Sequence, residues 1–316
     1  MEQAIPQLSI VIPLFNEEQV FETLINSLNS TLYSSSIKCE VVLVDDGSND
    51  NTSRLIRELC IKDSRYQGIL LSRNHGHQLA LTAGMAFAKG SEGIMVMDGD
   101  LQDPPELIET FYKKMKEGYD VVYAIRTKRK EPVLKKAAYW LYYRIQKLIS
   151  NFNIPIDSGD FGMMSRRVVD QLNLMPENSR YLRGMRSWVG FKQIGITYER
   201  SARQAGESSY GFKQLLGLAY NGIFNFSEIP VKFITRTGFI TIILSLLYLG
   251  ITLYKKIFLN EVPEGFTALI MAIVLFSGVQ LISLGIIGEY VLRIFFQVKN
   301  RPLYIVSSRF ENQEEK

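Results

Sequence analysis

The sequence predicts an α/β protein whose main domain holds a mostly parallel sheet, followed by a pair of membrane-spanning helices near the C-terminal end. Three observations predict this arrangement. Short apolar stretches alternate with segments of helical spacing from Leu8 to Ala124, which is typical of βαβ units. These apolar stretches end in clusters of polar residues. Two runs without charge, Thr237 to Tyr254 and Phe266 to Gly288, follow later in the chain, and roughly 20 apolar residues suffice to cross a bilayer.

The composition fits one large domain, or one domain with an appendage. The 316 residues carry a net charge of +4, and no recognised motif points to nucleic acid as a partner. Cys39 and Cys60 lack the spacing of metal ligands, so we expect two reduced structural thiols in the cytosol. The first residues form a polar lead and a strand, without the pattern of a signal peptide.

The first half of the predicted sheet follows from three apolar stretches. Leu8 to Pro13 predicts a strand, and helical spacing follows from Val20 to Leu32. Glu40 to Val44 predicts the second strand. Polar residues from Asn49 to Thr52 then offer N-capping side chains for the next helix. Gly68 to Leu71 predicts the third strand.

The second half repeats this alternation. A helical pattern from Leu79 to Met85 precedes a fourth strand around Ile94 to Met97. Pro104-Pro105 begins another helix, and Asp120 to Ala124 predicts the fifth strand. Ligands of such sheets bind beyond the carboxyl ends of the strands, and the polar clusters stand at those ends. The sequence therefore predicts a nucleotide-binding α/β domain.

The fourth strand runs directly into Asp98-Gly99-Asp100. A strand alternates its faces, so we expect Asp98 and Asp100 to project to the same side, with Gly99 between them. Two converging carboxylates repel each other unless a cation lies between them, and a divalent ion held by carboxylates and substrate phosphates is the usual solution. The alternative is a solvated turn, because Asp and Gly are also turn residues.

Two phosphate-binding motifs are absent from the sequence. No Gly-x-Gly-x-x-Gly follows the first strand, and no Gly-x-x-x-x-Gly-Lys-Ser/Thr occurs anywhere. Their absence argues against a dinucleotide enzyme and against a P-loop nucleotidase. A site without a phosphate-cradling loop must neutralise a diphosphate in another way, which favours a metal at the two aspartates.

Several motifs together carry a family resemblance. They are Ile-Pro-Leu-Phe-Asn-Glu-Glu (12–18), Val-Asp-Asp-Gly-Ser (44–48), Ser-Arg-Asn (72–74), Asp-Gly-Asp-Leu-Gln-Asp-Pro-Pro-Glu (98–106) and Arg-Gln-Ala-Gly-Glu-Ser-Ser (203–209). The chain resembles the family 2 glycosyltransferases of GT-A fold over essentially its whole length. Within that family it is similar to the polyprenyl-phosphate sugar transferases, which include dolichol-phosphate mannose synthases and GtrB-type polyisoprenyl-phosphate glucosyltransferases.

The resemblance implies roles for residues near the first two strands. The nucleoside pocket would be lined by Pro13, Phe15, Glu17, Val44 and Asp46. Asp46 would accept a hydrogen bond from the ring N–H of the base. These assignments imply a nucleotide sugar as one substrate.

The resemblance also implies a diphosphate site. Asp98 would approach the ribose or the metal, while Asp100 and Gln102 would hold Mg²⁺ or Mn²⁺ against the diphosphate. Phosphates would be contacted by arginines, namely Arg126, Arg200 and Arg203. The alternative for each arginine is a surface ion pair.

Two acids follow in Asp157-Ser-Gly-Asp160. The resemblance places Asp157 close to where the acceptor attacks the anomeric carbon. An acceptor phosphate with a second pKa near 6 is already largely ionised at neutral pH, so Asp157 either acts as a base or orients the acceptor or a metal. We expect Asp160 to cap a turn. We also expect His75 and His77 to serve as capping or loop residues rather than as a metal pair.

Two basic, aromatic-rich segments suit the headgroup layer of a membrane. The first is an amphipathic helix at about 133–150, and the second is a juxtamembrane helix at 211–232. A core-packing helix with a solvated face is the alternative for the first. Together with membrane lipids they would hold a polyprenyl phosphate beside the domain at 1–210.

The membrane segment at 233–298 would contain spans at about 237–254 and 266–288. Basic residues are more frequent on the outer flanks (Lys232, Arg236, Arg293, Lys299 and Arg301) than in the connecting loop (Lys255 and Lys256). This asymmetry predicts an inner-membrane protein with both termini and the catalytic domain in the cytoplasm. The tail at 299–316 contains a predicted strand at Arg301 to Val306. The sequence does not identify the partner of this strand, and a neighbouring subunit's sheet in a homo-oligomer is one candidate.

The expected activity is therefore transfer of a sugar to polyprenyl phosphate with inversion. The resemblance favours UDP-glucose as donor, while GDP-mannose or a modified UDP-sugar remains open. A processive polysaccharide synthase is an alternative, but neither Trp140 nor Trp188 lies in a Gln-x-x-Arg-Trp motif. A non-catalytic membrane scaffold is a third reading, against which the intact Asp98, Asp100 and Gln102 argue.

Overall fold

The computed structural model describes residues 5–127, 158–178, 180–199, 229–259, 265–311 and 314–315. The chain forms two compact units. The first contains the N-terminal α/β domain together with the tail from Pro302 onwards, and the second contains the long helices that end before the tail. The predicted interface helix at 133–150 and most of the predicted helix at 211–232 lie outside the described residues.

The described part of the first unit contains one nine-stranded sheet, in the order β7-β5-β6-β4-β1-β2-β3-β8-β9. Its strands are β1 (Leu8–Leu14), β2 (Cys39–Asp45), β3 (Tyr66–Leu71), β4 (Gly93–Val96), β5 (Val121–Thr127), β6 (Ser158–Ser165), β7 (Gln193–Glu199), β8 (Val306–Glu311) and β9 (Glu314–Glu315). Four neighbours, β4, β1, β2 and β3, are parallel. The predicted α/β class with a mostly parallel sheet is confirmed.

Helices connect these strands in the predicted alternation. They are α1 (Glu18–Ser34), α2 (Thr52–Lys62), α3 (His77–Phe87), α4 (Leu107–Lys116), α5 (Arg166–Leu174) and α6 (Leu182–Trp188). The apolar positions of α1 that recur at helical spacing, such as Leu24 and Leu28, are fully buried against the sheet. Helix α3 packs so closely on β1 that a Cβ at Gly84 would lie 2.2 Å from Val11 Cγ1.

Two strands that the apolar pattern does not reveal complete the sheet. Strand β6 inserts antiparallel between β4 and β5, and β7 runs parallel to β5 at the edge. Because β6 is antiparallel, its first residues lie at the same edge as the carboxyl ends of β4 and β5. This placement brings Asp160 to the edge where ligands of such sheets bind.

The C-terminal strand differs from the prediction. Strand β8 begins at Val306, where the predicted strand ends, and it pairs antiparallel with β3 of the same chain. The partner is therefore not a neighbouring subunit's sheet. Pro302 lacks a backbone N–H and belongs to the approach to the strand rather than to its ladder.

The second unit contains two long helices, α7 (Ile229–Phe258) and α8 (Phe266–Val298), which contact each other. Among the described residues, Leu275–Val298 is the segment long and apolar enough to cross a membrane. This segment begins and ends later than the predicted second span. The corresponding apolar stretch of α7, Arg236–Tyr248, is shorter, so a first span at 237–254 stays a prediction.

Candidate active site

The polar loops that follow β1, β2, β3 and β4 meet at the carboxyl edge of the sheet. The loop after β1 is tied to the loop after β2 by two hydrogen bonds. The Asn16 N–H donates to Ser48 Oγ at 2.9 Å, and the Asn49 N–H donates to Asn16 Oδ1 at 2.8 Å. Asn16 adopts a φ of +56°, a left-handed conformation that asparagine tolerates. The tight turn leaves the Phe15 ring exposed beside these loops.

Asp46 fastens the loop after β2 to the loop after β3. Its buried carboxylate accepts the His75 N–H at 2.7 Å and the Gly76 N–H at 2.9 Å. Burial raises the pKa of Asp46, and these two backbone hydrogen bonds partly offset that rise. Each carboxylate oxygen thus already accepts one bond from the protein. The arrangement gives Asp46 a role in shaping the site.

A cleft of about 420 Å³ opens between these loops. Phe15, Ser48 and Arg73 are among its lining residues, and Ser307 of the C-terminal strand lines it as well. Gly47 allows the loop after β2 to approach the loop after β3, because it has a φ of +70° and a Cβ there would lie 2.4 Å from the Arg73 carbonyl carbon. An exposed ring beside hydroxyl, amide and guanidinium groups suits a flat, polar-edged group.

Pro13 and Val44, which were predicted to line the nucleoside pocket, are paired in register on β1 and β2. Both are buried in the sheet and neither is among the residues lining the cleft. Glu17 lies in the turn before α1, where its N–H donates to Thr52 Oγ1 at 3.0 Å. Of the predicted nucleoside residues, Phe15 is the one that lines the cleft.

Asp98 and Asp100 lie beyond β4, which ends at Val96. The prediction that strand alternation aligns them is therefore wrong, and a loop positions them instead. The Asp98 N–H donates to Asp103 Oδ2 at 3.1 Å, and the Gln102 N–H donates to Asp100 Oδ1 at 3.2 Å. Buried Asp103 also accepts a 3.0 Å hydrogen bond from the Tyr198 hydroxyl of β7. Asp103 thus fixes the loop, a role that the sequence analysis missed.

The donor set fits a divalent metal that also binds substrate. In the described part of the chain, no three His, Cys, Asp or Glu side chains are grouped closely enough to hold a metal by themselves. Asp98, Asp100 and the Gln102 amide carry oxygen atoms that could act as ligands, and both aspartates are half-buried. Such a small set suits Mg²⁺ or Mn²⁺ when a diphosphate completes the coordination.

Asp160 connects this loop to a group of cations. Its buried carboxylate accepts hydrogen bonds from Arg183 Nε and from Gln78 Nε2, each at 2.9 Å. His77 Nε2 lies 3.8 Å from Asp160 Oδ2 and 3.4 Å from Asp98 Oδ1. The expectation of a turn-capping Asp160 is wrong, because the residue belongs to β6. His77 likewise reaches the Asp98 carboxylate rather than serving as a loop residue.

Charge keeps Asp160 ionised. Burial by itself would raise the pKa of Asp160, but the Arg183 guanidinium, and then His77 and Arg186, hold the pKa well below its ordinary value. Arg186 is 3% exposed, and its guanidinium lies 5.0 Å from the centre of the Tyr123 ring. Burial lowers the pKa of Arg186 to about 10, so this cation persists at neutral pH.

The remaining predicted residues are only partly described. Arg126 lies at the end of β5, opposite Tyr198 of β7. Asp157, Arg200 and Arg203 lie outside the described residues. Arg183 and Arg186, which the sequence analysis missed, belong to Tyr-Leu-Arg-Gly-Met-Arg at 181–186. Two arginines close together in sequence could have indicated a binding site for an anionic group. Nothing in the neighbouring sequence, however, indicates that they lie near Asp160.

Similarity to known proteins identifies the family to which the chain belongs. The sequence model of Glycosyl transferase family 2 matches residues 9–172. An uncharacterized glycosyltransferase of Bacillus subtilis, YkcC, is 44% identical over 96% of this chain and 94% of its own length. The SfII prophage-derived bactoprenol glucosyl transferase of Shigella flexneri is 34% identical over 95% of this chain and 97% of its own length.

Among solved structures, TarS 1–349 of S. aureus in complex with UDP-GlcNAc aligns with 17% identity and a TM-score of 0.48 over 70% of this chain and 67% of that one. This likeness is too distant to bear on function. The family match carries more weight, because residues 9–172 include the loops of the cleft, both aspartates after β4, and Asp160 on β6. With relatives aligned over nearly its whole length, the chain belongs to glycosyl transferase family 2 and is a glycosyltransferase.

Proposed function

We propose that the protein transfers glucose from UDP-glucose to a polyprenyl phosphate in the membrane. The observation that carries this proposal is the similarity to bactoprenol glucosyl transferases along almost the entire chain, at 34% identity. The match includes the C-terminal helices as well as the sheet domain, so the likeness extends beyond a shared catalytic fold. Bactoprenol is a polyprenyl alcohol, and its phosphate is the acceptor that this similarity favours.

The donor would lie across the carboxyl edge of the sheet. Its nucleoside would occupy the cleft beside Phe15, and its diphosphate would extend toward the loop after β4. Asp98, Asp100 and Gln102 would hold Mg²⁺ or Mn²⁺ there. When bound, the ion supplies Lewis-acid stabilisation of the leaving nucleoside diphosphate.

The reaction we propose is a single displacement with inversion. A phosphate oxygen of the acceptor attacks the anomeric carbon as the bond from that carbon to the UDP oxygen breaks, and UDP leaves with the electron pair. The acceptor phosphate is already largely ionised at neutral pH, so we assign Asp157 an orienting role. Phosphates of donor and acceptor would be contacted by three arginines, namely Arg126, Arg200 and Arg203.

We also propose that the chain is a membrane protein with two spans and both termini in the cytoplasm. Support comes from the apolar helix Leu275–Val298 and from the exposed apolar side chains of α7, such as Leu246 and Leu247. The excess of basic residues on the outer flanks supports the orientation. In this topology the site faces the cytoplasmic pool of nucleotide sugars.

Asp100→Ala tests the proposed activity and the metal assignment together. Membranes containing the protein are incubated with labelled UDP-glucose, polyprenyl phosphate and Mg²⁺ or Mn²⁺, and the label extracted into organic solvent is counted. We expect extractable label from the wild type and a loss of at least about 100-fold in Asp100→Ala, which corresponds to about 2.7 kcal/mol of transition-state stabilisation.

Glu109→Ala, an exposed carboxylate on α4, is the matched control and should retain wild-type activity. Robust turnover by Asp100→Ala would contradict the metal assignment. Label in long polymer would indicate a processive synthase instead. No product with UDP-glucose, GDP-mannose or other nucleotide sugars would favour a non-catalytic scaffold.

A further inference from the structure

The C-terminal strand forms part of the cleft that we assign to the nucleoside. Ser307 of β8 is one of its lining residues, together with groups from the loops after β1, β2 and β3. The chain reaches this position only after completing the two long helices of the second unit. A residue distant in sequence from the family motifs thus borders the same space as Phe15 and Arg73.

Ser307 occupies an irregular position in the pairing of β8 with β3. Leu70 lies opposite Ser308, while Leu71 lies opposite Val306. Ser307 is therefore an extra residue between two consecutive pairs, which is the arrangement of a β-bulge. Bulges redirect side chains and occur frequently beside binding sites. Here the bulge places a small hydroxyl side chain at the border of the cleft.

Hydrogen bonds hold this bulge against the end of β3. The Ser307 hydroxyl donates to the Leu70 carbonyl oxygen at 3.0 Å. On the other side of the bulge, the Ser72 N–H donates to the Ile305 carbonyl oxygen at 2.9 Å. The tail therefore fixes the point from which the Ser72-Arg73-Asn74 loop enters the cleft. Since the Ser307 proton is directed to Leu70, its oxygen can only accept a hydrogen bond from a ligand.

Strand β8 is held in place by contacts with the rest of the sheet domain, so its position beside the cleft is fixed. Phe310 is buried in the core, and the Arg57 guanidinium lies 5.4 Å from the centre of its ring. Buried Glu311 forms ion pairs with Lys89 and with Arg309, the second at 2.7 Å. Because Arg309 belongs to β8 itself, the core packing of Phe310, its contact with Arg57 and the Lys89–Glu311 ion pair are the contacts that fix β8 on the side of the bulge that leads to the C-terminus.

We infer that Ser307 is a specificity-determining residue for the nucleobase of the donor. This inference rests on the proposed function, because it takes the cleft as the nucleoside site. A hydroxyl oxygen that can only accept favours a base whose ring nitrogen carries a proton, as in uracil or guanine. Cytosine and adenine present an unprotonated ring nitrogen at the corresponding position. The small side chain also leaves room that a larger residue would fill.

The test is nucleotide binding by the purified full-length chain, measured by calorimetry with UDP, GDP and CDP in the presence of Mg²⁺. We expect UDP or GDP to bind more tightly than CDP. Ser307→Ala should weaken the tighter of the two by roughly 3- to 10-fold, as for the loss of one hydrogen bond. The affinity of Ser307→Ala for CDP should equal that of the wild type. The difference in affinity between CDP and the preferred nucleotide should therefore become smaller. Ser307→Leu should weaken binding of the preferred nucleotide more than about 10-fold by occupying the cleft.

Ser308→Ala, the adjacent serine outside the cleft lining, is the matched control and should bind as the wild type does. Melting temperatures identify any variant that fails to fold. If Ser307→Leu fails to fold, the binding data for Ser307→Ala still test the inference. Wild-type affinity and base preference in folded Ser307 variants would overturn this inference alone. A wild-type chain that binds no nucleoside diphosphate would overturn the donor proposal and this inference with it.

Discussion

At the scale of single residues, Asp160 is a carboxylate whose surroundings differ sharply from those of a surface acid. Its side chain is 7% exposed and pairs with Arg183, with Arg186 nearby. Breaking a buried pair leaves an uncompensated cation and costs several kcal/mol, whereas exposed pairs contribute little. Arg183 is partly exposed, which limits the cost. The pair therefore stabilises the edge of the sheet that carries Asp98.

We predict that Asp160→Asn lowers the free energy of unfolding at pH 7 by about 3 kcal/mol. The pKa of Asp160 is lower in the folded state than in the unfolded state, where it is about 3.9. Its contribution is therefore complete above the unfolded pKa and is lost as the pH falls toward the folded pKa. Melting curves of the wild type and the variant should therefore differ most at pH 7 and approach each other progressively as the pH falls below about 4.

Asp170→Asn is the control for this prediction. Asp170 pairs with Arg166 at 2.8 Å, but its side chain is 48% exposed, so we expect a change within about 0.5 kcal/mol. A stability difference between the wild type and Asp160→Asn that stays constant from pH 7 to pH 3 would show that packing, and not the charge, is responsible.

The residues of the site differ in how far the sequence could predict them. Asp98 and Asp100 follow an apolar stretch, so local pattern was enough to place them at the edge of the sheet. Asp160 lies 82 residues from its partner Gln78, and its neighbours in sequence are typical of a turn. The contacts of Asp160 and His77 arise from strand pairing over long distances in sequence. Local pattern contains no information about such pairing.

At the scale of elements, strands with continuous apolar runs were predicted and strands without them were not. All seven residues of β1 are buried, which produces a run that can be recognised locally. Strand β6, Ser-Gly-Asp-Phe-Gly-Met-Met-Ser, has neither such a run nor a clean alternation. Its extended conformation depends on hydrogen bonds to β4 and β5 on both sides. Tertiary context therefore decides that element.

The turn after β2 allows an element-scale prediction. Gly47→Ala introduces a side chain at a φ of +70° and within 2.4 Å of the Arg73 backbone. The two loops that line the cleft must then move apart. We expect about tenfold weaker UDP binding, equivalent to about 1.4 kcal/mol, measured by calorimetry.

Gly118→Ala separates the effect of backbone strain at a positive φ from the effect of a side chain that pushes the two loops apart. Gly118 has a φ of +94°, yet nothing lies within 4 Å of a Cβ built there. This variant should lose about 1 kcal/mol of stability from backbone strain and keep wild-type UDP binding. Equal binding by both variants would show that the close approach of the loops is unimportant for the cleft.

At the scale of the whole molecule, the first unit is assembled from two distant parts of the sequence. The chain leaves the sheet after β7, forms the two long helices, and returns to pair with β3. From the sequence, the tail at 299–316 was predicted to be a segment of its own with a short strand at Arg301 to Val306, because nothing local identifies the partner of that strand. Strand β8 covers the edge of β3, which would otherwise present unpaired backbone groups to solvent.

This topology makes the stability of the first unit depend on the tail. Phe310 is 5% exposed and packs in the core that contains Ile56 and Cys60. Removing a buried phenylalanine ring costs the transfer free energy of the ring and leaves a cavity. We predict that Phe310→Ala lowers the free energy of unfolding of the first unit by about 3 kcal/mol, measured by denaturant titration of the detergent-solubilised chain.

Ile305→Ala is the matched control, because Ile305 lies in the same tail and is 55% exposed. It should change the stability by less than about 1 kcal/mol. Similar losses in the two variants would indicate that Phe310 does not anchor the strand.

If Phe310→Ala is selectively destabilised, proteolysis of the folded variant should cut the tail before the N-terminal strands, since the low-stability part of a fold opens first. Release of β8 would in turn remove Ser307 from the cleft, so loss of the tail and loss of nucleotide binding should occur together.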